Sequence, residues 1–158
     1  MLNVKIICVG NLKEKYWVDA VKEYAKRLSA HCKFQIIELN EAKCDKNPSD
    51  ALIAKALEEE AKQILQAASG STIISLCIEG KQISSEELSK KLDNLALMGE
   101  SSVSFIIGSS FGLSDTVKKA GERISMSKMT FPHQLARVML CEQIYRAFQI
   151  SAGTKYHK

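Results

Sequence analysis

The feature that most constrains the fold is a regular alternation of short apolar runs with segments of helical period. Four runs have strand length, namely Val4–Val9, Phe34–Leu39, Ser71–Ile78 and Val103–Ile107. Apolar residues spaced three and four apart follow each of the first three runs, which is typical of amphipathic helices. A chain that alternates strands with helices is predicted to be α/β, with a parallel sheet covered by helices on both faces. Such sheets bind ligands at the carboxyl ends of their strands.

Local signals mark the remaining elements. Ser84 and Glu87 have the spacing of a capping box, in which each side chain satisfies a free backbone N–H at a helix start. Ser114 is a predicted N-cap of a short helix. Arg123–Met126 is predicted as a brief fifth strand and His133–Ile150 as the last helix.

Length and composition predict one soluble domain over residues 1–158. The chain has 158 residues, is 46% apolar and 25% charged, and contains no Gly/Ser-rich linker or repeat. This composition excludes a disordered chain. The net charge of +4 permits a polyanionic partner without requiring one.

The cysteines and the N-terminal segment bear on location and metal content. The five cysteines form an odd set without a C-x-x-C pair, which predicts neither a disulfide framework nor a metal site. The apolar run Ile6–Val9 is too short for a signal peptide or a membrane span. We expect a cytoplasmic protein that is neither exported nor embedded in a membrane.

Three predicted loops that leave the strands are distinctive: Glu79–Lys81, Gly108–Leu113 and Ser127–Pro132. Gly108 and Gly112 lack the rest of a phosphate-binding motif, so a tight turn is favoured over a ligand site. Ser127–Pro132 could bind a small molecule through its backbone N–H and C=O groups. On pattern alone, a plain connection with Pro132 at the first helical position is favoured.

The last helix is apolar over several faces, which predicts burial both in the core and against a partner subunit. Glu142 and Arg146 lie one turn apart in it, and an ion pair and an acid beside a ligand are equally compatible with that spacing. His133 and His157 flank the helix, and lone histidines are more often structural than catalytic. The basic and aromatic tail, Lys155–Lys158, is either a frayed end or an RNA contact.

Taken as a set, these residues resemble the ribosomal RNA large subunit methyltransferase H family, and the similarity covers essentially the whole chain in order. The segments that carry it are Val9–Trp17, Gly80–Leu88, Phe105–Gly108, Ser125–Gln134, Glu142–Phe148 and Tyr156–His157.

The resemblance implies a SPOUT-class methyltransferase whose C-terminal part forms a trefoil knot and which acts as a homodimer. It implies transfer of a methyl group from S-adenosylmethionine to N3 of a pseudouridine in 23S rRNA of the assembled 70S ribosome, without a metal. The residues that would contact S-adenosylmethionine are Leu76, Gly108, Ser127, Lys128, Met129, Thr130, Phe131 and Pro132.

One position departs from the family pattern. Members usually carry a second glycine directly after the one at 108, whereas this chain has Ser109. Serine restricts positive φ, so either the loop lies differently here or the position needs no left-handed backbone.

The imide nitrogen of pseudouridine attacks only as its proton leaves, so a base or a water path is expected nearby. The candidates are His133, Glu142 and His157 of the partner subunit, with Arg137 and Arg146 stabilising the developing anion or holding phosphates. Placement of the reactants alone would be the other source of rate. Two other functions remain open: a non-enzymatic dimer that binds RNA or ribosomes, and a knotted methyltransferase acting on tRNA.

Overall fold

A computed structural model describes all residues, Met1–Lys158, as five strands that alternate with five helices. The strands are β1 (Asn3–Val9), β2 (Lys33–Leu39), β3 (Thr72–Gln82), β4 (Ser102–Ile107) and β5 (Glu122–Ser125). The helices are α1 (Lys15–Leu28), α2 (Asp50–Ala67), α3 (Ser85–Leu97), α4 (Asp115–Lys119) and α5 (His133–Ser151).

The five strands form one sheet in the order β2-β1-β4-β3-β5, and every neighbouring pair is parallel. The prediction of a parallel α/β sheet is therefore confirmed. Because all strands run the same way, the carboxyl ends of β4 and β5 point in the same direction, on either side of the middle of β3. The loops that follow β4 and β5 meet there, beside Leu76–Glu79 of β3.

Helices cover both faces, as the sequence predicted, because the strand residues alternate between two cores. Ile6 and Cys8 of β1 face a core shared with α1, α3 and α5, whereas Ile7 and Val9 face a smaller core shared with α2 and α4. A strand buried on both faces needs a continuous apolar run, and β1 has one.

The predicted caps are confirmed. Ser84 Oγ accepts from the backbone N–H of Glu87, and the Glu87 carboxylate accepts from the backbone N–H of Ser84. Ser114 Oγ accepts from the N–H of Val117 at the start of α4. These bonds satisfy helix N–H groups that would otherwise lack an acceptor.

The prediction that Glu79–Lys81 is a loop is wrong, because β3 continues through it to Gln82 and pairs with β5 there. The register between β3 and β5 shifts between Leu76 and Lys81. Gly80 permits this arrangement, since a Cβ at that position would lie 2.6 Å from the backbone carbon of Ile124. No residue with a side chain fits so close a backbone approach.

A buried guanidinium joins α5 to the sheet. Arg137 is 1% exposed, and its Nη1 donates to Glu38 Oε2 at the end of β2 over 2.5 Å. Its Nη2 donates to the backbone oxygen of Gly10, just after β1, over 3.0 Å. The Arg137 side chain therefore ties the first half of α5 to two strand ends.

None of the five helices combines the length and the apolar character that a bilayer span requires. The trefoil knot of the C-terminal part stays a prediction. The short strand β5 pairs with β3 at the sheet edge, and α5 then packs against α1 and α3.

We expect Glu38→Ala to destabilise the fold by about 3–5 kcal/mol, because it leaves the buried Arg137 guanidinium without its carboxylate. The double variant Glu38→Ala/Arg137→Met should recover part of that loss, since methionine carries no charge to be buried. Urea unfolding measures both effects. Glu23→Ala, which breaks the exposed pair with Arg27, is the control and should change little. A double variant no more stable than Glu38→Ala would contradict the expectation.

Candidate active site

A cavity of about 610 Å³ lies where β4 and β5 end, beside the middle of β3. Leu76 and Cys77 of β3, Ile107 of β4 and Ser125 of β5 form its floor, and the start of α5 closes one side. Its size is that of a site for a small organic molecule. Two loops supply most of the remaining wall: Gly108–Leu113 and Met126–Pro132.

The first loop turns back sharply on itself. The N–H of Gly112 donates to the carbonyl of Ser109 over 2.9 Å, and Gly112 has a φ of +86°. A Cβ on Gly108 would lie 2.4 Å from the Gly112 carbonyl oxygen, so position 108 has no room for a side chain. No residue other than glycine has positive φ, and position 109 therefore needs no left-handed backbone. Serine is compatible with this loop.

The second loop presents backbone donors that the chain leaves free. The N–H of Met129 donates to Ser127 Oγ over 3.0 Å, whereas those of Lys128, Thr130 and Phe131 have no acceptor within the chain. Ser125 Oγ donates to the carbonyl of Ser127 over 2.8 Å and fixes the beginning of the loop. Free N–H groups beside an apolar cavity suit a ligand that offers nitrogen or oxygen acceptors.

The structure brings seven of the eight predicted cofactor residues to this cavity. Leu76, Gly108, Ser127, Met129, Thr130, Phe131 and Pro132 all line it. The side chain of Lys128 is exposed and does not line the cavity, because this part of the loop turns outward. Met129 is 73% exposed at the rim.

Charged groups at the cavity wall are few. His133, at the first turn of α5, is half-buried and is the only predicted catalytic residue that lines the cavity. Glu79 and Lys118 form an ion pair of 2.6 Å on the wall. The hydrogen bond from Lys118 holds the pKa of Glu79 below its usual value. No sequence pattern predicted this pair, because its two residues come from distant elements.

The other three predicted catalytic residues form a separate cluster on α5 and the C-terminal tail. Arg146 Nη2 donates to Glu142 Oε1 over 2.6 Å, and Tyr156 Oη donates to the same oxygen over 3.2 Å. Arg146 Nη1 lies 3.1 Å from His157 Nδ1, and His157 Nε2 lies 2.7 Å from Glu86 Oε1. We call Glu142, Arg146, Tyr156 and His157 the tail cluster.

The hydrogen bonds of the tail cluster define which ring nitrogen of His157 carries the proton. An arginine guanidinium only donates hydrogen bonds, so Nδ1 of His157 accepts and its proton resides on Nε2, facing Glu86. Both ring nitrogens are therefore occupied, and the oxygen of Glu142 that faces Arg146 already has several donors. Within this chain, neither group is a free base.

The tail cluster is also distant from the cavity of the same chain. A helix rises 1.5 Å per residue, so Glu142 and Arg146 stand about 14 and 20 Å beyond His133 along α5. The prediction that Arg137 holds phosphate or an anion is wrong, because its guanidinium is buried against Glu38 and Gly10. Its role is to position α5.

A buried carboxylate beside the first loop was missed by sequence reasoning. Glu60 of α2 is 3% exposed and accepts from the N–H of Ala42 and from Ser109 Oγ. Burial raises the pKa of Glu60. Glu60 is the last of three consecutive glutamates, and such a run gives no sequence signal of burial, because most glutamates are exposed.

No three His, Cys, Asp or Glu side chains converge in a way that could hold a metal ion. The cavity does fit an adenosine-containing ligand. Leu76, Ile107 and Phe131 offer apolar surface to a purine ring, and the free N–H groups of the second loop can donate to its nitrogen atoms.

Comparison with known proteins defines the class. A family model described as "Predicted SPOUT methyltransferase" matches residues 2–157, nearly the whole chain. Fold, cavity and match together are those of a SPOUT-class methyltransferase, and S-adenosylmethionine is the methyl donor that this class implies.

Ribosomal RNA large subunit methyltransferase H from Bacillus cereus is 50% identical over 99% of this chain and all of its own length. The protein of the same name from an Exiguobacterium species is 49% identical over the same shares. The chain belongs to the ribosomal RNA large subunit methyltransferase H family.

The fold is also similar to that of a solved structure from Haemophilus influenzae, described as a probable methylase family protein. The TM-score is 0.58 at 14% identity, and the alignment covers 98% of this chain and 70% of the other. At this identity the similarity supports the fold alone.

Proposed function

We propose that this enzyme binds S-adenosylmethionine in the strand-end cavity and methylates N3 of a pseudouridine in 23S rRNA of the assembled ribosome, as a homodimer. The observation that supports the proposal most is the cavity itself. Seven residues expected to contact the cofactor line one cavity, in a chain related over its full length to rRNA methyltransferases.

The residues that would hold the cofactor are Leu76 in the middle of β3, Gly108 directly after β4, and the loop from Ser127 to Pro132. When bound, S-adenosylmethionine supplies an electrophilic methyl group on a sulfonium. Much of what the protein contributes is placement, which lowers the barrier by up to about 7–11 kcal/mol in favourable systems. Rigid loop contacts, such as the bond from Ser125 to Ser127, suit that task.

His133 is our candidate for removing the N3 proton. It is the only one of the four predicted catalytic residues that lines the cavity. A neutral imidazole has one ring nitrogen with a free lone pair, which can accept a proton. Glu142 and His157 are weaker candidates, because the hydrogen bonds of the tail cluster already engage them.

The tail cluster would act on the cavity of the partner subunit. Arg146 presents a cation beside the aromatic ring of Tyr156, with its Cζ 4.9 Å from the ring centroid. A cation and an aromatic ring together suit a phosphate and a splayed base. Because the tail cluster is too distant from the cavity of its own chain, a second copy of the chain would bring a tail cluster to each cavity.

The target in an assembled ribosome follows from the small size and charge of the enzyme. A net charge of +4 on 158 residues offers few phosphate contacts for tight binding to free RNA. A composite ribosomal surface would supply the remaining contacts in the cytoplasm, where ribosomes work. Recognition would then depend on shape as much as on charge.

The proposal predicts that purified enzyme with isotope-labelled S-adenosylmethionine modifies one pseudouridine of 70S ribosomes at N3. Mass spectrometry of digested rRNA locates the methyl group. Naked 23S rRNA should be a much poorer substrate, since it lacks the assembled surface. A product in tRNA would reject 23S rRNA as the target. Equal activity on naked rRNA would reject the assembled ribosome as the preferred substrate, and absence of methyl transfer would reject the enzymatic activity.

We expect His133→Asn to slow single-turnover methylation by about 10²–10⁴-fold, the usual contribution of a positioned general base. Calorimetry should show unchanged cofactor affinity, because asparagine is nearly isosteric. Glu58→Gln, an exposed substitution on α2, is the control. A near-normal rate in His133→Asn would favour catalysis by placement alone.

The shared-site proposal predicts complementation between two inactive variants. Gly108→Val blocks the cavity, because its Cβ would collide with Gly112, and Arg146→Ala disrupts the tail cluster. Co-expressed and mixed at random, they should regain about a quarter of the wild-type activity, since half of the dimers are mixed and each has one intact site. Activity no greater than that of the two variants alone would contradict a site built from two copies.

A further inference from the structure

Only two charged side chains of this protein are buried, and only one of them has a partner of opposite charge. Arg137 has a carboxylate partner, whereas Glu60 has none: both of its recorded donors are neutral groups. Burying a carboxylate without a cation is costly unless hydrogen bonds compensate. A plain apolar residue in α2 would avoid that cost, so the placement of Glu60 calls for a specific role.

The two donors to Glu60 lie in two different loops, which Glu60 thereby connects. Its Oε2 accepts from the backbone N–H of Ala42, 2.9 Å away in the segment between β2 and α2. Its Oε1 accepts from Ser109 Oγ, 3.1 Å away in the loop after β4. No backbone hydrogen bond connects these two segments. The only other hydrogen bond between them is a long one, in which Ser110 Oγ donates to Glu41 Oε1 over 3.4 Å.

Ser109 is the residue through which Glu60 reaches the cavity. It is buried, it lines the cavity directly after Gly108, and its carbonyl accepts from the N–H of Gly112. Its hydroxyl has Glu60 as its only partner. A glycine at position 109 could not make this bond, so the contact depends on the serine side chain.

We propose that Glu60 is a positioning residue for the cofactor. Through Ser109 it holds the Gly108–Gly112 loop in the shape that forms one wall of the cavity, and it thereby sets the affinity for S-adenosylmethionine. Glu60 does not line the cavity and takes no part in methyl transfer. The inference rests on the proposed function, because it assumes that the cofactor occupies this cavity.

The test is calorimetric titration of the full-length protein with S-adenosylmethionine, supported by the split between KM and kcat. Glu60→Ala should weaken cofactor affinity by about tenfold or more, because Ser109 and Ala42 both lose their acceptor. Ser109→Ala should weaken it by about threefold or more, since one of the two bonds remains. KM for the cofactor should rise, while kcat at saturating cofactor stays within about twofold.

Two further variants separate positioning from general stability. The double variant Glu60→Ala/Ser109→Ala should bind no more weakly than Glu60→Ala, because Glu60→Ala already removes the only partner of the Ser109 hydroxyl. Glu60→Gln should stay within about threefold of wild type: its carbonyl can accept from Ala42 and its amide can donate to the Ser109 oxygen. Glu58→Ala, which breaks an exposed bond to Thr116 two residues away, is the matched control and should be neutral.

The outcomes are distinguishable. If the wild type binds cofactor and Ser109→Ala or folded Glu60→Ala binds it equally well, the positioning role is rejected. If Glu60→Ala does not fold, Ser109→Ala and the Glu60→Gln rescue decide. If the wild type itself fails to bind, the proposed function fails instead. Amide exchange at Gly112 then still tests the loop contact: exchange no faster in Ser109→Ala than in wild type rejects it.

Discussion

The ion pair that the buried Arg137 forms with Glu38 is the interaction on which the site most depends. A charged side chain that is 1% exposed must be paired, and its two partners lie at the ends of neighbouring strands. These contacts fix α5 one turn beyond His133. The start of α5 and the loop before it form a side of the cavity, so the pair positions a wall it does not touch. A second bond, from the N–H of Lys13 to Gln134 Oε1, holds the same turn.

Close backbone contacts shape the rest of the cavity. At Gly80 the backbone of β3 approaches Ile124 of β5, and at Gly108 the chain leaves β4 directly against Gly112. Both contacts need a residue without a side chain. Together they draw β3 and the ends of β4 and β5 close enough for one small ligand to touch all three strands, which parallel strand order alone does not ensure.

How much of this could be predicted from the sequence depends on the range of each interaction. Caps at Ser84 and Ser114 act over three residues, so their spacing alone identified them correctly. The apolar periods of the strands and helices are also local patterns, and they predicted the parallel sheet.

Gly80 was misassigned to a loop because β5, the strand that accommodates it, lies some forty residues later. The pairing of Arg137 with Glu38 and the burial of Glu60 depend on contacts across the fold, which no local pattern encodes. The family resemblance, not periodicity, identified the residues that line the cavity.

The separation of the cavity and the tail cluster within one chain is the structural basis for proposing that two copies build each site. In one chain, α5 carries His133 at its beginning and Arg146 about 20 Å further along, so one copy cannot present both to a single nucleotide. Under the proposed function, each copy would use the same surface twice: its cavity would face the tail cluster of the other copy. The hydrogen bonds inside the tail cluster support this arrangement, because a contact group that serves another subunit must be held in place by its own chain before the two copies meet.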